Sequence, residues 1–143
     1  MATGYFKNGD PYIDVDVSNP LGWKRTLSCL IDTGFTGFLS VPILQAFPIG
    51  LLLHSTVSVT LADGSTSSNL VCLGTAHLPG ESQAGLIFIE AASSQVLLGL
   101  EFLKKFSKKL VIDPITQTVE LVSVTPPPGA AAMPVVPLLP PTP

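Results

Sequence analysis

The segment Leu30-Ile31-Asp32-Thr33-Gly34 places a carboxylate directly after an apolar strand and inside a glycine-containing turn. An unpaired carboxylate at the end of a buried strand costs free energy, unless function or local hydrogen bonding offsets that cost. Backbone N–H groups of a turn can hold a carboxylate toward a water molecule, and two neighbouring carboxylates can share one proton. One then acts as base toward the water, while its protonated partner polarises a carbonyl group. Turn aspartates also cap local backbone, so the tripeptide alone leaves both interpretations open.

The surroundings of this tripeptide resemble one protein family. A hairpin with Ala62, Asp63 and Gly64 at its tip follows about thirty residues after Asp32, and an apolar segment ending in Gly99 then leads into a helix. This order is similar to that of the retropepsin-type aspartic proteases over about residues 10 to 124. The tetrapeptide Asp-Thr-Gly-Phe also resembles the motif of a microbial subgroup of single-domain members.

The resemblance implies roles for three segments: a catalytic turn, a flap that closes over a peptide, and one arm of a psi-shaped loop that cradles the turn. In that order, the segments are Asp32, Thr33 and Gly34; Ala62, Asp63 and Gly64; and Leu97, Leu98 and Gly99. It also implies an all-β fold, a small closed β-barrel of the retropepsin type with one short helix near the C-terminus. The implied activity is peptide-bond hydrolysis with neither a metal nor an organic cofactor.

Asp-Thr-Gly occurs once in the chain. A catalytic dyad needs two carboxylates, so the second must come from an identical chain, and we expect a homodimer with a twofold axis between the two Asp32 side chains. A peptide or protein substrate would bind extended between flap and floor, with alternate side chains in apolar pockets near Phe35, Leu61 and Leu97. The alternative is a non-catalytic peptide-binding or dimerisation module with the same fold.

The chain departs from the family pattern beside both arms of the loop. Phe35 follows the tripeptide where a small residue is usual, and Thr36 stands where many members have Asp. Leu100 and Glu101 follow Gly99, where many viral members have Arg. The charged pairs that tie viral dimers together are therefore not evident, and Phe35 can instead fill hydrophobic space under the loop.

Alternation of apolar residues predicts the strands that position these segments. Two antiparallel hairpins are expected, the second longer than the first and turning at residues 62–65. The predicted strands are 12–17, 25–31, 57–61, 70–78, 85–90, 96–98, 110–112 and 118–122. A helix is predicted over 100–108, with Lys104, Lys105, Lys108 and Lys109 on a solvated face near its end, and a weaker helical turn over 42–47.

Composition divides the 143 residues into a domain, 1–125, and a proline-rich segment, 126–143. The segment holds eight of the fourteen prolines and no charged residue, which is typical of a disordered tail or linker. Two P-x-x-P matches leave open a ligand for an aromatic groove. The domain, in a chain with 46% hydrophobic residues, can bury a real core.

Charge and apolar run lengths exclude several classes of function. The net charge of −3 supplies no attraction toward nucleic acid, so we expect no nucleic-acid partner, and no apolar run approaches the ~20 residues of a transmembrane helix. No apolar signal core follows the first ten residues, so we expect a cytoplasmic protein without a membrane partner. Cys29 and Cys72 are expected as buried free thiols, and His54 and His77 lack the spacing of metal ligands.

Overall fold

The computed structural model describes residues 2–60 and 62–125, so Leu61 and the proline-rich segment 126–143 lie outside the described residues. The described chain is mostly β structure. The strands are β1 (Ala2–Thr3), β2 (Tyr5–Lys7), β3 (Asp10–Ser18), β4 (Lys24–Ile31), β5 (Leu39–Pro42), β6 (Leu52–Thr60), β7 (Thr66–Leu78), β8 (Glu81–Glu90), β9 (Val96–Leu98), β10 (Lys108–Asp113) and β11 (Thr118–Ser123). Helix α1 spans Ile43–Ala46 and continues into a 3-10 turn, Phe47–Ile49, and helix α2 spans Leu100–Lys105. Within these described ranges, neither helix has the length and apolarity to cross a bilayer.

Two sheets share one hydrophobic core. The larger has eight strands in the order β2-β3-β4-β9-β5-β8-β7-β6, and the smaller has the order β1-β11-β10. Strand β3 also pairs with β7, so the strands from β3 to β7 form a closed ring of hydrogen-bonded neighbours. Ala2, Val119 and Leu121 of the smaller sheet belong to the same buried cluster as the core residues of the larger sheet.

The first predicted hairpin is confirmed. Strands β3 and β4 pair antiparallel with Ile13 opposite Cys29 and Val15 opposite Leu27, all four buried. The alternation that predicted the strands therefore matches the face that the core covers. Asn19 shapes the connecting turn, since its Oδ1 accepts hydrogen bonds from the backbone N–H groups of residues 21 and 23.

The second predicted hairpin is also confirmed, and it extends beyond the sheet. Strands β6 and β7 pair from Leu52↔Leu73 to Thr60↔Thr66. Strand β8 pairs with β7 only as far as Leu70↔Ile89. Among the described residues, the part of β7 before Leu70 therefore pairs with β6 alone and forms a two-stranded ribbon.

The pattern of alternating apolar residues did not predict β5, β1 or β2, because these strands do not show it. All four residues of β5 are buried, because β5 lies between β9 and β8 and is covered on both faces. Strands β1 and β2 are only two and three residues long. Strand β8 begins at Glu81, four residues before the predicted start.

The predicted helix over 100–108 is too long, and the solvated position predicted for Lys108 is wrong. Helix α2 ends at Lys105, and Ser107 has a left-handed φ of 52°, so the chain turns into β10 at Lys108. The Lys108 Nζ lies 2.7 Å from Glu81 Oε2 and donates a 2.7 Å hydrogen bond to Ser123 Oγ. These partners compensate the burial of the ammonium group, which the charge pattern of the sequence could not reveal.

An aromatic cluster fixes α2 against the end of the Asp32 loop, residues 32–38. Phe102 lies at 5.3 Å from Phe38 and 4.6 Å from Phe106, measured between ring centroids, and it is fully buried. A segment of six residues is too short to be a stable helix by its intrinsic helix propensity, so this packing is what stabilises α2 and fixes its position.

Replacing Phe102 with Ala should destabilise the domain by about 3–5 kcal/mol, because the buried ring leaves a cavity between α2 and Phe38. The measurement is urea unfolding monitored by circular dichroism. Phe47→Ala is the matched control, since Phe47 is 83% exposed and its loss should change the free energy of unfolding by about 0.5 kcal/mol or less. Equal effects of the two substitutions would contradict the assigned packing.

Candidate active site

Asp32 lies in the turn that ends β4, and local hydrogen bonds hold its carboxylate. Asp32 Oδ1 accepts a 2.9 Å hydrogen bond from the N–H of Gly34, and the Asp32 carbonyl accepts one of 3.1 Å from the N–H of Phe35. Asp32 is partly exposed, and Thr33 and Gly34 are exposed. The turn therefore both caps the backbone, as turn aspartates do, and presents an oriented carboxylate at the surface.

Strand β9 holds this turn from beneath. It lies between β4, with which it pairs parallel at Ile31↔Leu98, and β5, with which it pairs antiparallel at Leu39↔Leu98. The N–H of Asp32 donates to the Leu98 carbonyl at 3.0 Å. One residue of β9, Leu98, thus pairs with both the strand before the turn and the strand after it.

The chain after β9 continues this support into helix α2. The N–H of Leu100 donates to the Phe35 carbonyl at 2.9 Å, and the N–H of Glu101 lies 3.1 Å from the Gly37 carbonyl. The N–H groups at a helix start have no partner within the helix, and carbonyl groups of the Asp32 loop satisfy them instead. The loop and the start of α2 therefore depend on each other.

Gly99 permits this close approach. A Cβ atom at Gly99 would clash with the Gly37 carbonyl oxygen and would lie 2.5 Å from the Phe35 carbonyl oxygen and 2.6 Å from the Phe35 ring. Backbone oxygens cannot rotate away as a flexible side chain can. Glycine is therefore required by space at this position.

Phe35 lies under the loop and fills space between it and the sheet. Its ring makes an edge-to-face contact with Phe88, with centroids 6.0 Å apart and planes at 83°. The side chain is partly buried, and a Cβ atom at Gly37 would lie 2.5 Å from it. The bulky residue that departs from the family pattern therefore packs as a support of the loop.

Ala62, Asp63 and Gly64 form the exposed tip of the β6–β7 ribbon. The N–H and the hydroxyl of Ser65 donate to Asp63 Oδ1 at 2.9 and 2.6 Å, and these hydrogen bonds lower the pKa of Asp63. Gly64 has a φ of 86°, which suits glycine at this turn. The Asp63 carboxylate thus stabilises the turn in which it lies, through its hydrogen bonds with Ser65.

The structure brings together two of the three predicted segments, the Asp32 turn and residues Leu97–Gly99. The third segment, predicted as a flap, lies at the end of the β6–β7 ribbon, and the hydrogen bonds of its Asp63 side chain go to Ser65. Of the predicted pocket residues, Phe35 and Leu97 are partly buried beside the loop, and Leu61 lies outside the described residues.

Two hydrogen bonds between side chains far apart in the sequence were not predicted. The Tyr12 hydroxyl donates to Gln95 Oε1 at 3.0 Å and ties β3 to the segment entering β9. Ser18 Oγ and His77 Nε2 lie 2.8 Å apart where β3 meets β7. Their partners are 83 and 59 residues apart in the chain, so only the closed ring of strands could have revealed them.

Neither the cysteines nor the acidic side chains build a metal site in the described chain. Cys29 and Cys72 are free and buried, and burial raises the pKa of both thiols. Among residues 2–60 and 62–125, no group of three or more His, Cys, Asp or Glu side chains is placed to hold a metal ion.

Gly99→Ala should separate the start of α2 from the Asp32 loop, because the added methyl group meets two backbone carbonyls. We expect the amide hydrogens of Asp32 and Leu100 to exchange markedly faster in hydrogen–deuterium exchange. Gly80→Ala is the control: it adds a methyl group at a φ of 74° with no atom within 4 Å, so it carries backbone strain without the clash. Unchanged protection at Asp32 and Leu100 in Gly99→Ala would refute the role of this contact.

Comparison with known proteins finds relatives in structure and none in sequence. No protein-family model and no curated protein matches the sequence. The structure matches the EIAV protease solved in complex with the inhibitor HBY-793, with a TM-score of 0.54 and 16% identity, over 76% of this chain and 98% of that one. It also matches a retropepsin-like aspartic protease from Rickettsia conorii, with a TM-score of 0.53 and 12% identity, over 82% of this chain and 86% of that one. The chain therefore has a retropepsin-like fold.

Proposed function

We propose that the protein is a homodimeric aspartic endopeptidase in which the Asp32 carboxylates of two chains activate one water molecule. The observation that carries the proposal is the Asp32 turn itself. The Gly34 N–H orients the Asp32 carboxylate, the residue is partly exposed, and its backbone N–H donates to the Leu98 carbonyl. The retropepsin-like fold supports the assignment, because both solved structures that the chain resembles are proteases by their names.

The chemistry follows from two carboxylates that face each other across a twofold axis. Two negative charges at close range cannot both persist, so the pair holds one proton. The ionised member takes a proton from the water as it attacks the peptide carbonyl, and the protonated member donates to the carbonyl oxygen, which gives a tetrahedral diol. The carboxyl group that holds the water proton then gives it to the amide nitrogen, the other carboxylate takes a proton from a diol hydroxyl, and the C–N bond breaks to release an acid and an amine. The Gly34 N–H supports the charge on Asp32, and no covalent intermediate forms.

The β6–β7 ribbon supplies the second wall of the proposed substrate groove. The residues of β7 before Leu70 pair with β6 and not with β8, so the tip of the ribbon can move relative to the sheet. A peptide bound in extended form would add its backbone between ribbon and floor, with alternate side chains pointing into opposite walls. Such backbone recognition suits an endopeptidase that accepts many sequences.

Asp32→Asn should abolish cleavage of a mixed peptide pool at every pH between acid and neutral, with a loss of about 10²-fold or more. The substitution keeps the size of the side chain and its acceptor for the Gly34 N–H while removing the charge. Asp10→Asn, at an exposed aspartate that begins β3, is the control and should retain activity. Cleavage that survives Asp32→Asn would refute the dyad, and a dimer that never cleaves would favour a peptide-binding module.

Mixing tests whether the site is shared. When wild-type chains exchange with an equal amount of Asp32→Asn chains, about half of the wild-type chains enter mixed dimers with a single ionisable carboxylate, so activity per wild-type chain should fall to about half. Subunit exchange is followed by native mass spectrometry of differently tagged chains. Full activity after complete exchange would show that each chain acts alone.

A further inference from the structure

The proline-rich segment 126–143 leaves the domain beside helix α2. Val124 donates its N–H to the Ser107 carbonyl at 2.9 Å, just after the helix ends, and Val124 is 43% exposed. A small surface pocket of about 240 Å³ lies here and is lined by Val124 together with Leu103 and Lys104 of α2. The segment therefore starts next to the end of α2, within reach of the surfaces along that helix.

A larger groove, with a volume of about 430 Å³, lies between α2 and the outward face of strands β7 and β8. Phe38 packs against Gly85 at its base, where a Cβ atom on the glycine would lie 2.5 Å from the ring. Leu73 and Leu86 line the groove from opposite positions of the β7–β8 pair and are 37% and 41% exposed. The groove is thus a preformed apolar surface that a ligand can cover.

The other wall of the groove combines the Asp32 loop with α2. Thr36 and Gly37 of the loop line it beside Glu101 and Lys105 of the helix. The two charged residues are four positions apart on α2 and have opposite signs, so this wall supplies no net charge. An uncharged, apolar ligand therefore suits the groove better than an acidic or a basic one.

The proline-rich segment has this composition. It contains no charged residue, and its second half includes the overlapping sequences Pro-Val-Val-Pro, 134–137, and Pro-Leu-Leu-Pro, 137–140. In a polyproline II helix, which has three residues per turn, the prolines at 134, 137 and 140 would share one face and the aliphatic side chains would form the other two. Proline also lowers the conformational entropy that a segment loses when it binds.

The distance from the domain to the groove is short for this segment. Helix α2 has six residues and is about 9 Å long, and Lys105, at its end, already belongs to the groove. Nine residues separate Thr125 from Pro134, and at ~3.1 Å per residue they span up to about 28 Å. Because a covalent connection of this length gives a high effective concentration, weak apolar contacts suffice for docking within one chain.

We propose that residues 134–140 dock in the groove of their own chain, between α2 and the outward face of β7 and β8. The docked segment covers Leu73 and Leu86 and contacts Thr36 and Gly37, which belong to the loop that carries Asp32. This inference is separate from the proposed activity, since it requires neither catalysis nor a second chain. It assigns a binding site to the groove and a ligand to the P-x-x-P sequences.

A nitroxide spin label next to the docking segment tests the placement in the full chain. The label is attached to the Met133→Cys variant, and the native Cys29 and Cys72 thiols should not react because they are buried. We expect strong attenuation of the amide NMR signals of Thr36 and Lys105, with recovery when the nitroxide is reduced. A mixture of isotope-labelled chains without nitroxide and spin-labelled chains without isotope should show no attenuation.

A charge in the groove should displace the segment. Leu86→Asp places a carboxylate in the apolar wall, so in the spin-labelled chain it should restore the signals that docking attenuates. Leu86 is 41% exposed, which allows the substitution without disturbing the core. Ile115→Asp is the matched control, at an aliphatic side chain that is 92% exposed in the β10–β11 turn, and it should leave the attenuation unchanged.

A synthetic peptide of residues 134–140 gives an independent measurement. In the wild-type chain its own segment occupies the groove, whereas Leu139→Asp should release that segment. We therefore expect the peptide to bind the Leu139→Asp chain about tenfold more tightly than the wild-type chain in an NMR titration. Thr142→Asp adds the same charge outside the docking residues and should bind the peptide as the wild-type chain does.

Each measurement has an outcome that contradicts the docking. Undiminished signals at Thr36 and Lys105, or attenuation that Leu86→Asp does not relieve, would show that the segment lies elsewhere. Attenuation in the mixed sample would show that the groove binds the segment of another copy instead of its own. Peptide binding that is equal in the wild-type and Leu139→Asp chains, or absent from both, would also refute the proposal. None of these results depends on cleavage, so the proposed activity stands or fails separately.

Discussion

The close approach between the Asp32 loop and the chain leaving β9 is the contact on which the site depends. Leu98 bonds to the N–H of Asp32, and the Phe35 carbonyl accepts the N–H of Leu100, so two backbone segments support each other across Gly99. Any side chain at Gly99 would meet backbone oxygens. Since these bonds join main-chain atoms, the carboxylate is positioned by the sheet itself and not by mobile side chains.

The small sheet is tied to the large one by a second, polar contact. Lys108 at the start of β10 is buried against Glu81 of β8 and Ser123 of β11. A buried ammonium group is stable only while its partners remain, so losing Glu81 would leave a poorly compensated charge. The contact therefore specifies where β10 sits relative to the larger sheet, more than it adds to stability. That placement decides which residues of β10 face outward.

The sequence predicted those features that alternation and turn residues encode locally. The β3–β4 and β6–β7 hairpins, the short strand β9 and the general position of α2 followed from such patterns. Strand β5 did not, because a strand covered on both faces has no alternation. The end of α2 was also missed, because four lysines suggest a solvated helix, whereas the left-handed Ser107 and a distant glutamate decide the position of Lys108. Contacts between residues far apart in the chain, such as Tyr12 with Gln95, depend on the ring of strands and carry no local signal.

Phe35 changes how a dimer of this chain would be held together. In the described chain the ion pairs join Lys24 to Asp16 and Lys108 to Glu81, and neither involves the loop from Asp32 to Phe38. The loop is braced instead by the Phe35–Phe88 contact and by backbone hydrogen bonds within one chain. Because contacts within its own chain already hold this loop, few of its groups remain to form ion pairs with a partner. In the proposed dimer, apolar and backbone contacts outside this loop would then supply most of the free energy of association.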